Sequence, residues 1–215
     1  MGFDPGRVDL AWLRAWLEAR SIARGFPAPI ADRGGWRIET GSATEIRRWI
    51  FPQITPELRA LGDAIDDPRM IIRAAVKPEA LAAALGPRWT VPEQTFVMHR
   101  SDRNAVTQPL APGYRLESRR DGAVAHAFVL DADGHLAASG HAGRGSQAIA
   151  YDQIATDAAH RRKGLGRVLM LALGDLLGEQ DVPEVLVATV AGRALYETIG
   201  WQVVAPYAQA TLTAP

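Results

Sequence analysis

The chain of 215 residues contains no cysteine, and that absence removes several chemistries at once. Disulfide bonds, thiolate nucleophiles and cysteine-ligated metal sites all require this side chain. The five histidines form no HxH or HExxH pattern, so a histidine metal site has no support in the sequence. We therefore expect no metal, and the lack of cysteine fits a cytoplasmic location.

An excess of charge and long apolar runs are also lacking. Lys and Arg together number 24, as do Asp and Glu, so the formal net charge is zero. No overall field then favours a nucleic acid or an anionic membrane, and any attraction for anions has to be local. No apolar run reaches the length that spans a bilayer, and the opening MGFDPGRVDL lacks the order of a secretion signal. We expect neither a nucleic-acid nor a membrane partner, and either a monomer or a homodimer.

The pattern of the chain divides it into two parts joined by a polar segment. We predict an N-terminal domain over residues 1–100, a linker over 101–113 that contains two prolines and a glycine, and a C-terminal domain over 114–215. The N-terminal part begins with an amphipathic helix at 8–24, whose mixed-sign polar face favours packing over membrane binding. Further along, we expect a helix through EIRRWI, another in PEALAAALG and a strand in QTFVMHR.

The C-terminal part has a more regular pattern. Several strands, including a hairpin that turns at Asp133-Gly134, precede the order strand, helix, strand, helix and a final pair of strands around Pro206. This order predicts a mixed α/β fold in which helices cover the faces of a mainly antiparallel sheet.

The most unusual stretch is HRRKGLGRVLM, residues 160 to 170. It places three cations and two glycines between a predicted strand and a predicted helix. The first N–H groups of a helix have no partner within it, and the helix dipole adds partial positive charge there. Because glycine has no Cβ, a bulky anion can approach the main chain closely. The stretch therefore predicts a local phosphate site in a neutral protein.

The spacing within this stretch is not that of the common nucleotide loops. A dinucleotide fingerprint needs GxGxxG, and a nucleoside triphosphate loop needs GxxxxGK followed by Ser or Thr. The pattern present is RxxGxG at 161–166, preceded by the strand AIAYDQIAT and followed by ALYETIGW at 194–201. In this order the motifs resemble those of the GNAT (GCN5-related N-acetyltransferase) superfamily, and the resemblance covers about residues 113 to 215.

The resemblance implies a fold, a cosubstrate and a reaction. The fold would be a GNAT-type mixed sheet with a splayed central strand and flanking helices. The reaction would be transfer of an acetyl group from acetyl-CoA to an amine of a small molecule or peptide, by direct attack in a ternary complex. The residues that would bind the cosubstrate lie on the strand before the loop, in the loop and at the end of the next strand: Ile154, Ala155, Thr156, Arg161, Arg162, Lys163, Gly164, Leu165, Gly166, Arg167 and Thr189. Thr189 stands where many members of the family have asparagine.

Two residues are candidates for catalysis. Tyr196 occupies the family's tyrosine position and would protonate the leaving thiolate, since a phenol is protonated at neutral pH. Its alternative role is to pack the helix against the sheet. Asp152 is a charge within an otherwise apolar strand and could accept the proton of the incoming ammonium, or it could form a structural salt bridge.

The N-terminal part is less informative. IIRAAVKPEALAAALG at 71–86 aligns without gaps with VLVATVAGRALYETIG at 185–200, which suggests a degenerate GNAT-like repeat that lacks RxxGxG and has Ala82 in place of the tyrosine. Chance similarity between helices also explains this match. We expect the N-terminal part to shape the acceptor site, and the side chains that could contribute are Trp12, Trp16, Trp36, Trp49, His99 and Arg100.

Two other functions compete with catalysis. A non-catalytic module that binds or senses acyl-CoA would keep the loop and lose the transfer. Nucleic-acid binding through HRRKGLGR would need a wider basic surface than a single loop.

Overall fold

The computed structural model describes residues 8–100, 108–177 and 182–213. Its helices are α1 (Leu10–Arg24), α2 (Pro56–Ala64), α3 (Pro78–Leu85), α4 (Leu165–Leu177) and α5 (Val190–Glu197), with a 3-10 turn at Ala158–His160. Its strands are β1 (Ile30–Asp32), β2 (Gly35–Glu39), β3 (Arg47–Phe51), β4 (Met70–Ala74), β5 (Trp89–Thr90), β6 (Thr95–Arg100), β7 (Arg115–Asp121), β8 (Val124–Leu130), β9 (Leu136–Arg144), β10 (Ile149–Thr156), β11 (Glu184–Thr189) and β12 (Gln202–Leu212). Within these ranges, no helix is both long and apolar enough to cross a membrane.

One sheet contains all the strands of the described ranges. The order is β1-β2-β3-β4-β12-β6-β11-β10-β9-β8-β7, and β5 pairs with β12. Among the described pairs, β3 with β4 and β10 with β11 are parallel and the others are antiparallel. The prediction of a mixed α/β fold with a mainly antiparallel sheet and flanking helices is confirmed.

The strand β10 separates from its parallel neighbour part-way along its length. It pairs with β11 at Ile149 and Ala150, and the register on its other side, against β9, shifts between Asp152 and Ala155. Gln153, within that shift, has a φ of 53°. A bulge of this kind bends a strand and increases its twist, so the far half of β10 turns away from β11. This is the splayed central strand that the sequence predicts.

The two halves of the chain interlock through their last strands. β6, from the N-terminal half, lies between β11 and β12, while β12 lies between β4 and β6. A buried ion pair crosses this junction: Arg100 on β6 donates from Nε and Nη2 to Glu184 on β11, at 2.8 and 2.5 Å. Tyr151 Oη donates to the other oxygen of Glu184 at 2.8 Å. The halves therefore share one continuous sheet.

The topology of the N-terminal half repeats that of the C-terminal half. In each, a strand is followed by a helix, a parallel strand and a second helix, namely β3-α2-β4-α3 and β10-α4-β11-α5. Ile71 pairs with Arg48, and Val185 pairs with Ala150. Since Ile71 and Val185 are also the first aligned pair of the predicted repeat, the fold supports that repeat.

Helices α1 and α4 cover opposite faces of the sheet around β9. A Cβ added at Gly140 would meet Leu173 of α4 at 3.5 Å, whereas one at Gly143 would lie 2.5 Å from both Ala19 O and Ala23 N of α1. Residues 140 and 143 point to opposite faces because side chains alternate along a strand. The main chains of α1 and β9 thus touch directly at Gly143.

Two predictions about secondary structure are wrong. The expected helix through EIRRWI is the strand β3, whose Trp49, Ile50 and Phe51 are buried between β2 and β4; aromatic and β-branched residues favour such a central strand. The expected final pair of strands is the single strand β12. It tolerates Pro206 because pairing with β4 begins only at Ala208, so no described strand needs the N–H that proline lacks.

One structural observation concerns the linker in the predicted division into domains. Residues 101–107 of the predicted linker lie outside the described residues, and 108–113 form neither helix nor strand.

Candidate active site

The loop between β10 and α4 curls tightly before the helix begins at Leu165. Its backbone passes twice through the left-handed region, at Arg162 with φ 65° and at Gly164 with φ 76°. Glycine adopts this conformation without strain, and such turns direct successive N–H groups into one concavity. The first turn of α4 adds its unpaired N–H groups at the same point. The loop is thus suited to hold an anion.

The basic side chains of the loop are exposed. Arg161, Arg162 and Lys163 all lie at the surface. Arg161 Nε is 3.5 Å from Thr156 O, and Lys163 Nζ donates to Tyr114 Oη at 2.7 Å. Tyr114 Oη also shares a 2.8 Å hydrogen bond with Nδ1 of His160. Sequence reasoning missed Tyr114, which holds Lys163 in this anion-binding loop.

The start of α4 packs closely against α5. Leu165 is buried, and a Cβ added at Gly166 would lie 3.0 Å from Leu195 Cδ2 and 3.8 Å from Thr156 Oγ1. Arg167, one residue further, is partly buried. This contact brings the loop, the end of β10 and α5 together, so the residues of the two sequence motifs are neighbours in space.

The residues predicted to bind an extended ligand lie on the splayed part of β10. Ala155 and Thr156 pair with Ser139 and Ala138 of β9, and within the described residues the β10–β11 pairing ends at Ala150. The edge of Ile154, Ala155 and Thr156 that faces β11 therefore has no strand neighbour. A ligand with amide groups could add to this edge as a further strand would.

Tyr196 lies on α5 and is 7% exposed. Its ring is 6.2 Å from that of Trp201 and packs close to Gly192. Burial raises the pKa of Tyr196 to about 12, so the phenol is protonated at neutral pH and can donate a hydrogen bond. Both roles that the sequence left open, acid and packing, are compatible with this environment.

Thr189 ends β11 and caps α5. Its side-chain oxygen accepts a hydrogen bond from Gly192 N at 3.1 Å. A hydroxyl can still donate its proton while it accepts one bond. The position thus keeps one hydrogen-bonding group for a ligand.

Asp152 binds two arginines of α1. It accepts from Arg20 Nε at 3.1 Å and, in a forked pair, from Arg24 Nε and Nη2 at 2.5 and 3.1 Å. Burial alone would raise the pKa of this carboxyl, but the positive charges of Arg20 and Arg24 outweigh burial and hold the pKa of Asp152 well below its usual range. A carboxylate held in this way is a weak proton acceptor.

His141 is a further polar residue that sequence reasoning missed. It lies opposite Asp152 in the β9–β10 register, on the face that α1 covers. Its Nε2 is buried and has no hydrogen-bond partner among the described residues. Burial lowers the pKa of His141; Asp152 opposes that shift and Arg24 adds to it. The imidazole is therefore neutral at neutral pH and has a free nitrogen. Only the strand pairing reveals this position.

The tryptophans predicted to reach the acceptor mostly form the core. Trp12, Trp16 and Trp49 are buried, as are His99 and Arg100. Trp36 is partly exposed, and its Nε1 donates to Leu10 O at 3.1 Å.

Comparison with known proteins finds one family model that matches part of the chain. Residues 123–203 match the family model described as the acetyltransferase (GNAT) domain. The matched range runs from just before β8 to the start of β12 and includes β10, the loop before α4, and α5. No curated protein matches the chain significantly.

Solved structures of the GNAT fold resemble the chain over most of its length. A GCN5-related N-acetyltransferase from Kribbella flavida has a TM-score of 0.61 at 10% identity, with 87% of this chain and 90% of that chain covered. A tandem GNAT protein from the clavulanic acid biosynthesis pathway, solved without AcCoA, has a TM-score of 0.58 at 15% identity, with 84% and 79% covered. A GCN5-related N-acetyltransferase-like protein from Streptococcus suis has a TM-score of 0.55 at 10% identity, with 84% of each chain covered. At these identities the likeness concerns the fold, and the tandem structure supports the two-half arrangement.

The N-terminal half lies outside the matched range yet contributes residues to the surroundings of the candidate site. Arg20 and Arg24 of α1 bind Asp152, close to the point where β10 leaves β11. Helix α1 thus lies beside the candidate site on this side of the sheet.

Proposed function

We propose that the protein is an acetyl-CoA-dependent N-acetyltransferase that acts on an amine of a small molecule or peptide. The observation that carries the proposal is the separation of β10 from β11, because the separated part of β10 leads directly to the anion-binding loop at the start of α4. Acetyl-CoA combines a pyrophosphate, an extended arm with amide groups and a thioester. The anion-binding loop before α4 suits the pyrophosphate, and the free edge of β10 suits the arm with amide groups. Tyr196 suits the thioester.

In this proposal the loop binds the pyrophosphate. The N–H groups from Arg162 to Arg167 donate to its oxygens, and the exposed cations Arg161, Arg162 and Lys163 add local positive charge. The free edge of Ile154, Ala155 and Thr156 binds the amide-bearing arm, and Thr189 donates its hydroxyl proton to the cosubstrate. A backbone N–H of this edge can also stabilise the charge that develops on the thioester carbonyl oxygen.

Tyr196 acts as the acid. When the amine attacks the carbonyl carbon, the carbon–sulfur bond breaks and the sulfur needs a proton. A phenol whose pKa is about 12 remains protonated at neutral pH until the thiolate forms.

His141 acts as the proton acceptor for the amine, directly or through water. Its neutral imidazole and its Nε2, which has no hydrogen-bond partner in the described ranges, suit this role better than Asp152, whose carboxylate is engaged by two arginines. Asp152 in this scheme anchors α1 beside the site. The predicted role of Asp152 as the base thus passes to its neighbour on β9.

Release of free thiol from acetyl-CoA in the presence of a panel of amines tests the proposal. The matched variant Tyr196→Phe removes one hydroxyl group and keeps the ring packing. We expect kcat to fall about 100-fold, within the usual range for loss of an acid catalyst, while coenzyme A affinity stays unchanged. For His141→Gln we expect a loss of kcat together with the loss of the acidic limb of its pH profile.

The competing module that only binds acyl-CoA gives a different result. The wild-type protein would then bind acetyl-CoA and release no thiol with any amine. Unchanged turnover in Tyr196→Phe would contradict the assignment of the acid while leaving the enzyme class intact.

A further inference from the structure

Four arginine side chains converge beneath α1, on the face of the sheet where His141 lies. Arg20 and Arg24 come from α1, Arg48 from β3 and Arg73 from β4. Their side chains are 11%, 23%, 4% and 13% exposed, respectively. We call these four residues, with their acidic partners Asp152 and Glu45, the arginine cluster.

The arginine cluster contains more positive than negative charge. Asp152 pairs with Arg20 and Arg24, while Glu45 accepts from Arg48 Nε and lies 3.9 Å from Arg73 Nη2. Guanidinium groups remain charged in proteins, so four cations share two carboxylates. Burying an uncompensated charge is unfavourable, and a surplus of this kind is typical of a place where an anion binds.

Two hydrogen-bond donors, one in the arginine cluster and one beside it, also lack acceptors among the described residues. Within the described part of the chain, neither Arg73 Nε nor Tyr207 Oη has a hydrogen-bond partner. Tyr207, on β12, is only 2% exposed and packs edge-on against Trp16 at 5.5 Å. Burial, together with repulsion from Arg73 and Arg20, lowers the pKa of Arg48 to about 9. Two unused donors and mutually repelling cations therefore occupy one buried region.

One end of the cluster lies next to the candidate catalytic centre. Ala150 is the last described residue of β10 that pairs with β11. Asp152 is two residues further along the strand, about 7 Å from Ala150. Burial lowers the pKa of Arg20 most, and Asp152, Arg73 and Tyr207 lie close enough to Arg20 for their charges to shift that pKa as well. An acceptor whose amine lies at His141 could reach this cluster with a second group.

We propose that the arginine cluster recognises an oxyanion of the acceptor, so that the substrate is an amine that also carries a carboxylate or a phosphate. Arg73 and Tyr207 donate to its oxygens, and the surplus charge of Arg20 and Arg48 is compensated when it binds. Phe26, whose ring lies 6.0 and 5.6 Å from the guanidinium carbons of Arg24 and Arg48, gives this site an apolar flank. This inference rests on the proposed acetyltransferase function for the identity of the amine, whereas the anion site itself can be tested separately.

Direct binding tests the anion site. The full chain, saturated with coenzyme A so that the α4 loop is occupied, is titrated with malonate and with inorganic phosphate. We expect saturable binding of at least one anion, and at least tenfold weaker binding in Tyr207→Phe and Arg73→Gln. Tyr207→Phe retains the aromatic contact with Trp16 and removes only a hydroxyl that bonds to none of the described residues, so we expect it to fold as stably as the wild type. Arg59→Gln, on the exposed side of α2, serves as the control and should bind as the wild type does.

Turnover of matched amines identifies which oxyanion is used. Ethanolamine, β-alanine and phosphoethanolamine present the same short amine with a neutral group, a carboxylate or a phosphate, and pairs of amino acids with their amides extend the comparison. We expect kcat/KM to be at least tenfold higher for one anionic series. In Tyr207→Phe, KM for that series should rise while KM for the neutral series stays the same.

The outcomes separate this inference from the proposed function. Anion binding that is absent, or equal in the wild type, Tyr207→Phe and Arg73→Gln, overturns the oxyanion site even if amines are acetylated. If the protein does not bind coenzyme A or acetylates no amine, the proposed function fails. The titrations are then run on the protein alone, and the two variants still decide whether the cluster binds anions.

Discussion

Replacing Asp152 with asparagine separates the two roles that this residue could have. The side chain of Asp152 is 12% exposed, and it binds Arg20 and Arg24, which are 11% and 23% exposed. Removal of one partner from a buried ion pair costs about 3–5 kcal/mol, because the remaining charge is left without compensation. Since these arginines keep some contact with solvent and asparagine can still accept one hydrogen bond, we expect a loss of about 2–4 kcal/mol.

Urea denaturation measures this loss, and its pH dependence has a defined sign. The folded-state pKa of Asp152 is depressed, so its contribution is present above the unfolded pKa of about 3.9 and is lost as the pH falls below that value. The difference between the wild type and Asp152→Asn should therefore be constant from about pH 5.5 to 8 and should shrink below about pH 4.

A matched control places the expected loss in context. Glu39 forms ion pairs with Arg37 and Arg47, but its side chain is 35% exposed. Glu39→Gln should cost only about 0.2–1 kcal/mol. If Asp152→Asn is as stable as the wild type while the acidic limb of its kcat/KM profile disappears, Asp152 is the base, and the claim that it anchors α1 through a buried ion pair is refuted.

Two further predictions concern the joint between the halves. Gly143→Ala should destabilise the protein by about 1–3 kcal/mol, because its Cβ would lie 2.5 Å from the main chain of α1. Ser118→Ala on the exposed strand β7 is the control. Equal urea midpoints for the two variants would contradict the close packing of Gly143 against α1. The fragment 105–215 lacks β6, which lies between β11 and β12, so we expect it to show no cooperative unfolding by circular dichroism and no transfer activity. A folded fragment with full activity on the natural acceptor would show that the N-terminal half is dispensable.

The features that the sequence predicts well are local. The RxxGxG loop and the ALYETIGW motif each lie within one stretch of chain, and both surround the same corner of the fold. The loop needs a left-handed residue near the start of α4, and Gly164 meets that need. Helix α2 is not among the predicted elements, although its signal is local: Thr55 caps it by accepting from Leu58 N at 3.2 Å, and Pro56 is its first residue.

The features that could not be predicted depend on contacts between distant residues. Asp152 and Arg20 are separated by 132 positions, so no spacing rule links them. The strand β3 has residues that suit either a helix or a strand, and its neighbours β2 and β4 decide between them. The role proposed for His141 depends on its position opposite Asp152 across the β9–β10 pair. The positions of β6 between β11 and β12, and of β12 between β4 and β6, likewise depend on pairing between strands that are distant in the sequence.

Isothermal titration of the full chain with coenzyme A tests the central claim most directly. The double variant Arg161→Gln, Arg162→Gln removes two exposed cations from the proposed pyrophosphate seat, and Arg59→Gln removes an exposed cation elsewhere. We predict that the wild type and Arg59→Gln bind coenzyme A alike, and that the double variant binds at least about tenfold more weakly, a change of about 1.4 kcal/mol. No binding by the wild type, or equal binding by all three proteins, would contradict the claim that this loop seats the cosubstrate.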